Sequence, residues 1–88
     1  MDHKAEKIEA LLELILSLDN MEDCRAFMDD LCTRKELEKM AERVFAAKLL
    51  MEGKTYNQVI ANADISSATL SRVSRCIQYG NGYSKILK

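Results

Sequence analysis

Hydrophobic residues recur along this chain at intervals of three and four, the period of amphipathic helices. The pattern predicts a first helix over residues 4–18 and a second from about Asn20. Asp19 followed three residues later by Glu22 resembles a cap for the second helix. The two apolar stripes comprise Ile8, Leu11, Leu12, Ile15 and Leu16, then Cys24, Phe27, Met28 and Leu31. Both helices therefore need a partner surface to cover them.

The longest predicted helix covers residues 34–52. Thr33 and Glu36 have the spacing of a capping box at its start, and Gly53 suits the left-handed residue that often follows a helix. Its broad apolar surface comprises Leu37, Met40, Ala41, Val44, Phe45, Ala47, Leu49 and Met51. A surface this broad can pack on several helices at once, which is typical of a central helix.

The pattern of residues 55–78 predicts a helix, a tight turn and a second helix. Thr55 and Gln58 have the spacing of a capping box, and Val59 and Ile60 give the first helix apolar residues to bury. Residues 62–64 are expected to end the first helix, because Asn and Asp tolerate left-handed or turn geometry at small steric cost. The next residues supply an apolar anchor and a cap for the second helix, namely Ile65 and Ser66.

The second of these helices is predicted to have an apolar side and a small, polar and basic side. Leu70, Val73 and Ile77 form the apolar stripe. The opposite side comprises Ser67, Ala68, Ser71, Arg72 and Arg75. Short side chains near a helix N-terminus let the backbone approach a duplex, and hydroxyl and guanidinium groups bond to phosphates and base edges. The pattern therefore predicts a DNA-reading helix in the major groove.

Candidate DNA contacts follow from this geometry. Phosphate contacts are expected from Lys54, Thr55, Arg72, Arg75 and Lys85, and base-edge contacts from Ser67, Ala68, Thr69 and Ser71. After this helix, a break at residues 79–83 is expected, because two glycines flanking Asn81 favour positive backbone angles. A last short helix over residues 83–88 is predicted to fold back on the core.

Length and charge modify this interpretation. Eighty-eight residues form one domain, and a chain this short buries only roughly 60% of its unfolded surface, so association often completes the core. Residues 1–30 hold nine acids and three bases, a balance of −6, whereas residues 31–88 hold ten bases and five acids, a balance of +5. No acid follows Asp64. This asymmetry would turn the C-terminal half toward a polyanion, although solvated charged faces are the simpler alternative.

Several classes of protein are not expected. No apolar run has the length of a membrane span, and the acidic start lacks a secretory signal pattern, so a cytoplasmic location is predicted. Three widely spaced cysteines make a disulfide framework or a zinc site improbable and fit small apolar side chains, namely Cys24, Cys32 and Cys76. Catalysis is not expected, because the sole histidine, His3, stands near the terminus and no glycine-rich phosphate loop exists.

These residues also carry a resemblance to a known family. Residues 55–73 resemble the helix-turn-helix of bacterial repressors in Thr55, Val59, Ala63, Ile65-Ser66 and Thr69-Leu70-Ser71-Arg72-Val73. Residues 31–87 resemble the Trp repressor superfamily, including its Trp-repressor-like proteins of the YerC/YecD type, in Leu31-Cys32-Thr33, Arg43-Val44, Leu49-Leu50-x-x-Gly53 and Ala68-Thr69-Leu70-Ser71-Arg72. The resemblance implies an all-α fold of about six helices and an intertwined homodimer held by residues 1–31.

The resemblance further implies a ligand pocket. In the Trp repressor the co-repressor indole lies between two arginines, matched here by Arg43 and Arg72, and a threonine matched by Thr33 helps to hold the amino acid. Val73 replaces a glycine that leaves room for the ring, and Cys76 replaces a serine that contacts the amino group. Overpacking costs roughly 1–3 kcal/mol or closes a site, so these replacements argue against tryptophan. Another small co-effector and no effector remain the alternatives, and no resident cofactor is expected.

Together, these patterns predict a sequence-specific DNA-binding regulator of transcription, with repression as the first expectation. A homodimer would bind double-stranded DNA at an inverted repeat. The rival interpretation is a helical protein-interaction module that has kept the helix-turn-helix for packing and has lost DNA reading. The overall net charge of −1 favours that rival.

Overall fold

The computed structural model describes residues 3–87, and all regular secondary structure within that range is helical. Six helices follow in order: α1 (Lys4–Ser17), α2 (Met21–Leu31), α3 (Arg34–Met51), α4 (Tyr56–Asn62), α5 (Ser67–Tyr79) and α6 (Gly82–Ile86). The predicted all-α class with about six helices is confirmed. The chain divides into two compact units, one up to residue 34 and one from residue 35.

The first unit consists of α1 and α2. Asn20 caps α2, because its side-chain oxygen accepts a hydrogen bond of 2.8 Å from the backbone N–H of Asp23. The prediction of Asp19 as this cap was wrong by one residue. Asn20 has the extended backbone of an N-cap and so brings its own oxygen within reach of the first turn. Neither helix contains a buried residue.

The second unit has a small apolar core that joins α3, α4 and α5. Its fully buried or nearly buried members are Ala46, Val59, Ala63 and Leu70, with Leu49, Leu50 and Ile65 packed against them. The burial of Val59 and the anchoring role of Ile65 are confirmed. Ile60 was predicted to be buried and is instead 41% exposed. A helix of only seven residues turns one narrow side to the core, and Val59 and Ala63 occupy it.

Gly53 has a φ of 95°, which confirms the predicted left-handed residue after α3. The first helix ends at Asn62, so the predicted break at residues 62–64 is confirmed, but none of these residues is left-handed. Ala63 is extended, with φ −127° and ψ 144°, and no non-glycine residue within 3–87 has a positive φ. The direction of the chain changes through an extended connection, because the buried side chain of Ala63 ties that position to the core.

The end of α5 also differs from expectation. The helix continues to Tyr79, and Gly80 follows with φ −95°, so the predicted positive backbone angle is absent there. Glycine is needed at this position for a different reason, since a Cβ would lie 2.7 Å from the carbonyl oxygen of Cys76. The last helix, α6, begins one residue earlier than predicted, and Lys88 lies outside the described residues.

Candidate nucleic-acid interface

The start of α5 is fixed by a cap that the sequence predicted. The Ser66 hydroxyl oxygen accepts a hydrogen bond of 3.2 Å from the backbone N–H of Thr69. The Ser66 hydroxyl also donates to the Thr69 hydroxyl oxygen at 3.0 Å. Ser66 has the extended backbone of an N-cap, with φ −74° and ψ 156°. The helix therefore begins at one defined residue, Ser67.

Burial of one side of α5 determines which side chains reach solvent. Leu70 is 0% exposed and Val73 is 1% exposed, so the predicted apolar stripe does pack inward. The opposite side is solvent-exposed along its length and comprises Ser67, Ala68, Ser71, Arg72 and Arg75. From Ser67 to Arg75 this strip runs for about 12 Å along the helix axis. We call these five exposed residues the outward strip.

Thr69, a predicted base-edge contact, lies apart from the outward strip. Its side chain is half-buried and its hydroxyl is engaged by Ser66. It lines a polar cleft of about 310 Å³ beside α3, together with Lys39, Glu42, Arg43, Asp64, Ile65 and Ser66. Arg43, a predicted ligand residue, lies in this cleft. The structure thus brings Thr69 and Arg43 together.

Arg72, the second predicted ligand residue, lines another cleft of about 420 Å³ with Arg75, Cys76, Tyr79 and Gly80. Tyr79 is 83% exposed on the last turn of α5. Sequence reasoning placed Tyr79 in a break and missed it as a neighbour of the two arginines. Its helical spacing of four residues from Arg75 was the available signal. The third predicted ligand residue, Thr33, belongs to the first unit of the chain.

The remaining predicted phosphate contacts flank the outward strip in sequence. Lys54, Thr55 and Lys85 all have exposed side chains. Thr55 caps α4, since its hydroxyl oxygen accepts from the backbone N–H of Gln58 at 3.2 Å. The amide of Lys54 donates to the carbonyl oxygen of Leu49 at 3.1 Å, which ties this short connection to the end of α3.

A hydrogen bond that the sequence analysis missed joins α3 to the turn before α5. The backbone N–H of Asp64 donates to Oε2 of Glu42 at 3.1 Å, across 22 residues of sequence. Glu42 is half-buried and lies in the middle of α3. No sequence spacing predicts a contact between residues this far apart.

The charged residues of α5 and of the chain after it are all basic. Its first turn contains no acidic residue, and beyond Asp64 the sequence contains only basic charged residues, of which the structure describes Arg72, Arg75 and Lys85. Since summed charges set the potential over a surface, this region favours an anionic partner. Within residues 3–87, no group of three His, Cys, Asp or Glu side chains could hold a metal ion.

The state of the cysteines and the character of the helices concern disulfides and membrane spans. Cys24, Cys32 and Cys76 are free and half-buried. Among the described helices, none combines the length and the apolar character needed to cross a membrane.

Comparison with known proteins identifies the family. The profile of the Trp repressor protein family matches residues 6–88, nearly the whole chain. The chain belongs to the Trp repressor family. This is a family of DNA-binding regulators, and the resemblance seen in the sequence is confirmed.

Individual members of the Trp repressor family agree with this assignment. The Bacillus subtilis (strain 168) protein YerC, itself uncharacterised, is 42% identical over 78 residues, which cover 89% of this chain and 75% of YerC. A crystal structure of a candidate Trp repressor from Staphylococcus aureus superposes with a TM-score of 0.88 at 37% identity, covering 99% of this chain and 91% of that one. The crystal structure of a TrpR-like protein from Eubacterium eligens ATCC 27750 superposes with a TM-score of 0.88 at 36% identity, covering 96% of this chain and 88% of that one.

Proposed function

We propose that this protein is a sequence-specific DNA-binding regulator that represses transcription by occupying an inverted-repeat operator as a homodimer. The observation that carries the proposal is the outward strip of α5. Burial of Leu70 and Val73 holds that strip toward solvent, its residues are small or hydroxyl-bearing at the N-terminal end, and two guanidinium groups stand at the other end. A helix of this form fits a major groove.

The proposed contacts divide into two classes. Ser67, Ala68 and Ser71 lie at base edges, directly or through water, whereas Arg72 and Arg75 bind phosphates further along the helix. The flanking residues Lys54, Thr55 and Lys85 add phosphate contacts. Thr69 stays within the proposed set, but its engaged hydroxyl makes it a weaker direct reader than its neighbours.

The proposed homodimer rests on apolar surface that the single chain leaves exposed. Ile8 is 57% exposed, Leu12 is 50% exposed and Leu16 is 85% exposed on α1. Because exposed apolar residues on this scale favour association, we propose that residues 1–31 cover those of a second copy and that residues 34–52 form the centre of the dimer. Residues 1–88 would then form one domain within the pair, with the two α5 helices about 34 Å apart, one turn of DNA.

The proposed regulator does not use tryptophan. Val73, at the position where family resemblance implies space for an indole, is 1% exposed and packed into the core. Inserting a ring there would require displacement of core side chains. If any effector binds, Arg43 or Arg72, which line separate clefts, would hold a different small molecule, and in its absence DNA binding is constitutive.

Selection of bound sequences from a random DNA pool tests the proposal. The expected product is an inverted repeat whose half-sites lie about one helical turn apart. Affinity for that product should fall steeply with salt, with a log–log slope near −0.9 for each phosphate neutralised. The rival function, a protein-interaction module, is supported by the net charge of −1. It predicts no enrichment in the selection.

A further inference from the structure

We infer that Glu42 is a positioning residue for DNA reading: its carboxylate on α3 holds the turn that joins α4 to α5. This inference rests on the DNA-binding function proposed above. Glu42 lies on α3 and is not a member of the outward strip. Its effect on DNA would pass through the orientation of α5.

The geometry of the turn makes this hydrogen bond distinctive. Asp64 lies two residues before the Ser66 cap, in a connection that belongs to neither helix. Its backbone N–H donates to Glu42 Oε2 at 3.1 Å, and a carboxylate is a stronger acceptor than a neutral carbonyl. The other contacts between α3 and this connection include the packing of Ile65 against the apolar core. Apolar packing is not directional, whereas a hydrogen bond constrains both distance and angle.

A small shift at this turn would be amplified along α5. The helix has 13 residues and is therefore about 20 Å long, so a tilt of about 10° at one end would displace the other by about 3 Å. Hydrogen bonds to bases and phosphates tolerate only a few tenths of an ångström. A tilt of α5 that follows loss of the bond at Asp64 would therefore weaken several contacts on the outward strip together.

Charge alone gives the opposite expectation for Glu42. The carboxylate lies in the polar cleft beside Lys39 and Arg43, near a surface proposed to meet phosphates. Removing a negative charge from such a region should strengthen binding to a polyanion. The positional role and the purely electrostatic role therefore predict changes of opposite sign in the same variant.

Two substitutions that both leave residue 42 uncharged distinguish the positional role from the electrostatic role. Glu42→Ala removes the acceptor and the charge, whereas Glu42→Gln removes the charge and keeps a side-chain oxygen at the same reach. Affinity for the selected inverted repeat, measured by fluorescence anisotropy, should fall roughly fivefold in Glu42→Ala, the size that one hydrogen bond allows. In Glu42→Gln the affinity should stay within about twofold of the wild-type value or rise. Equal affinities in the two variants would overturn the inference.

Hydrogen exchange at the Asp64 amide, measured without DNA, tests directly whether Glu42 holds the turn. The Asp64 amide of the full chain should exchange its hydrogen roughly fivefold faster in Glu42→Ala than in wild type or Glu42→Gln. Unchanged exchange would overturn the inference even if DNA affinity falls. If Glu42→Ala does not fold, Glu42→Asp keeps the charge but withdraws the acceptor by one methylene, and it must show the same two effects. A folded wild-type protein that binds no DNA would overturn the proposed function instead, while the exchange rate still decides whether Glu42 holds the turn before α5.

Discussion

Thr55 and Gln58 form two reciprocal hydrogen bonds at the start of α4. The backbone N–H of Thr55 donates to Oε1 of Gln58 at 2.8 Å, and the backbone N–H of Gln58 donates to the Thr55 hydroxyl oxygen at 3.2 Å. A seven-residue helix is too short to be stable by propensity alone. The first helix of the helix-turn-helix therefore depends on this capping box and on the burial of Val59.

Loss of the cap should destabilise the protein measurably. Thr55→Ala removes the hydroxyl acceptor and should lower the free energy of unfolding by about 1 kcal/mol. Thr55→Ser keeps a hydroxyl and is the matched control, with stability close to wild type. Urea unfolding followed by circular dichroism, at one fixed protein concentration, measures the difference. Identical midpoints for Thr55→Ala and wild type would show that the cap contributes nothing.

The two glycines near the C-terminus should respond differently to a methyl group. At Gly80 a Cβ would lie 2.7 Å from the backbone oxygen of Cys76, so Gly80→Ala should destabilise the protein by about 1–3 kcal/mol through overpacking. At Gly82 a Cβ would meet nothing within 4 Å. Gly82→Ala is therefore the control and should be neutral or stabilising by up to about 1 kcal/mol, because alanine favours the helix. Thermal unfolding of both variants compares them, and equal melting temperatures would contradict the close approach at Gly80.

The proposed homodimer should depend on the apolar side of α1. Leu12→Glu places a charge among exposed apolar residues, and burying an unpaired charge in an interface is costly. The variant should therefore sediment as a single chain of 10.0 kDa, whereas wild type should sediment at about twice that mass. Ala10→Glu adds the same charge on the opposite side of α1 and should leave the dimer intact. A wild-type protein that sediments as a single chain at micromolar concentration would rule out the proposed assembly.

Sequence reasoning succeeded where structure depends on local periodicity. The spacing of Leu70 and Val73 predicted which side of α5 is buried, and the Thr55 and Ser66 caps were predicted because capping uses neighbouring residues. The bounds of α3 were recovered for the same reason. The family resemblance then supplied the overall fold, which helical periodicity alone does not determine.

Prediction failed where neighbouring residues compete or where distant residues meet. Asp19 and Asn20 are both capping residues, and only backbone geometry selects Asn20. Asn62 and Asp64 left open a left-handed or another turn geometry, and the structure has an extended, buried Ala63 between them. The bond between Glu42 and Asp64 depends on how α3 meets the turn, which no local pattern encodes. The assignment of the outward strip to DNA stays a prediction.

Tryptophan should not act as a co-repressor. Because Val73 is buried in the core, the indole has no space at that position without costly repacking. Calorimetric titration with millimolar L-tryptophan should give no binding heat, and the affinity for the selected DNA should be the same with and without the amino acid. A saturable tryptophan-dependent gain in DNA affinity would contradict this prediction.

The salt dependence of DNA binding decides whether α5 lies against DNA phosphates. Arg72→Ala and Arg75→Ala each remove two guanidinium groups from a homodimer, so each should weaken binding and reduce the log–log salt slope by up to about 1.8. Arg25→Ala, which removes an exposed arginine from α2, is the matched control. Shallower slopes are expected for the two α5 variants, and an unchanged slope is expected for Arg25→Ala. Equal slopes and affinities for all three variants and wild type would contradict the placement of α5 on DNA.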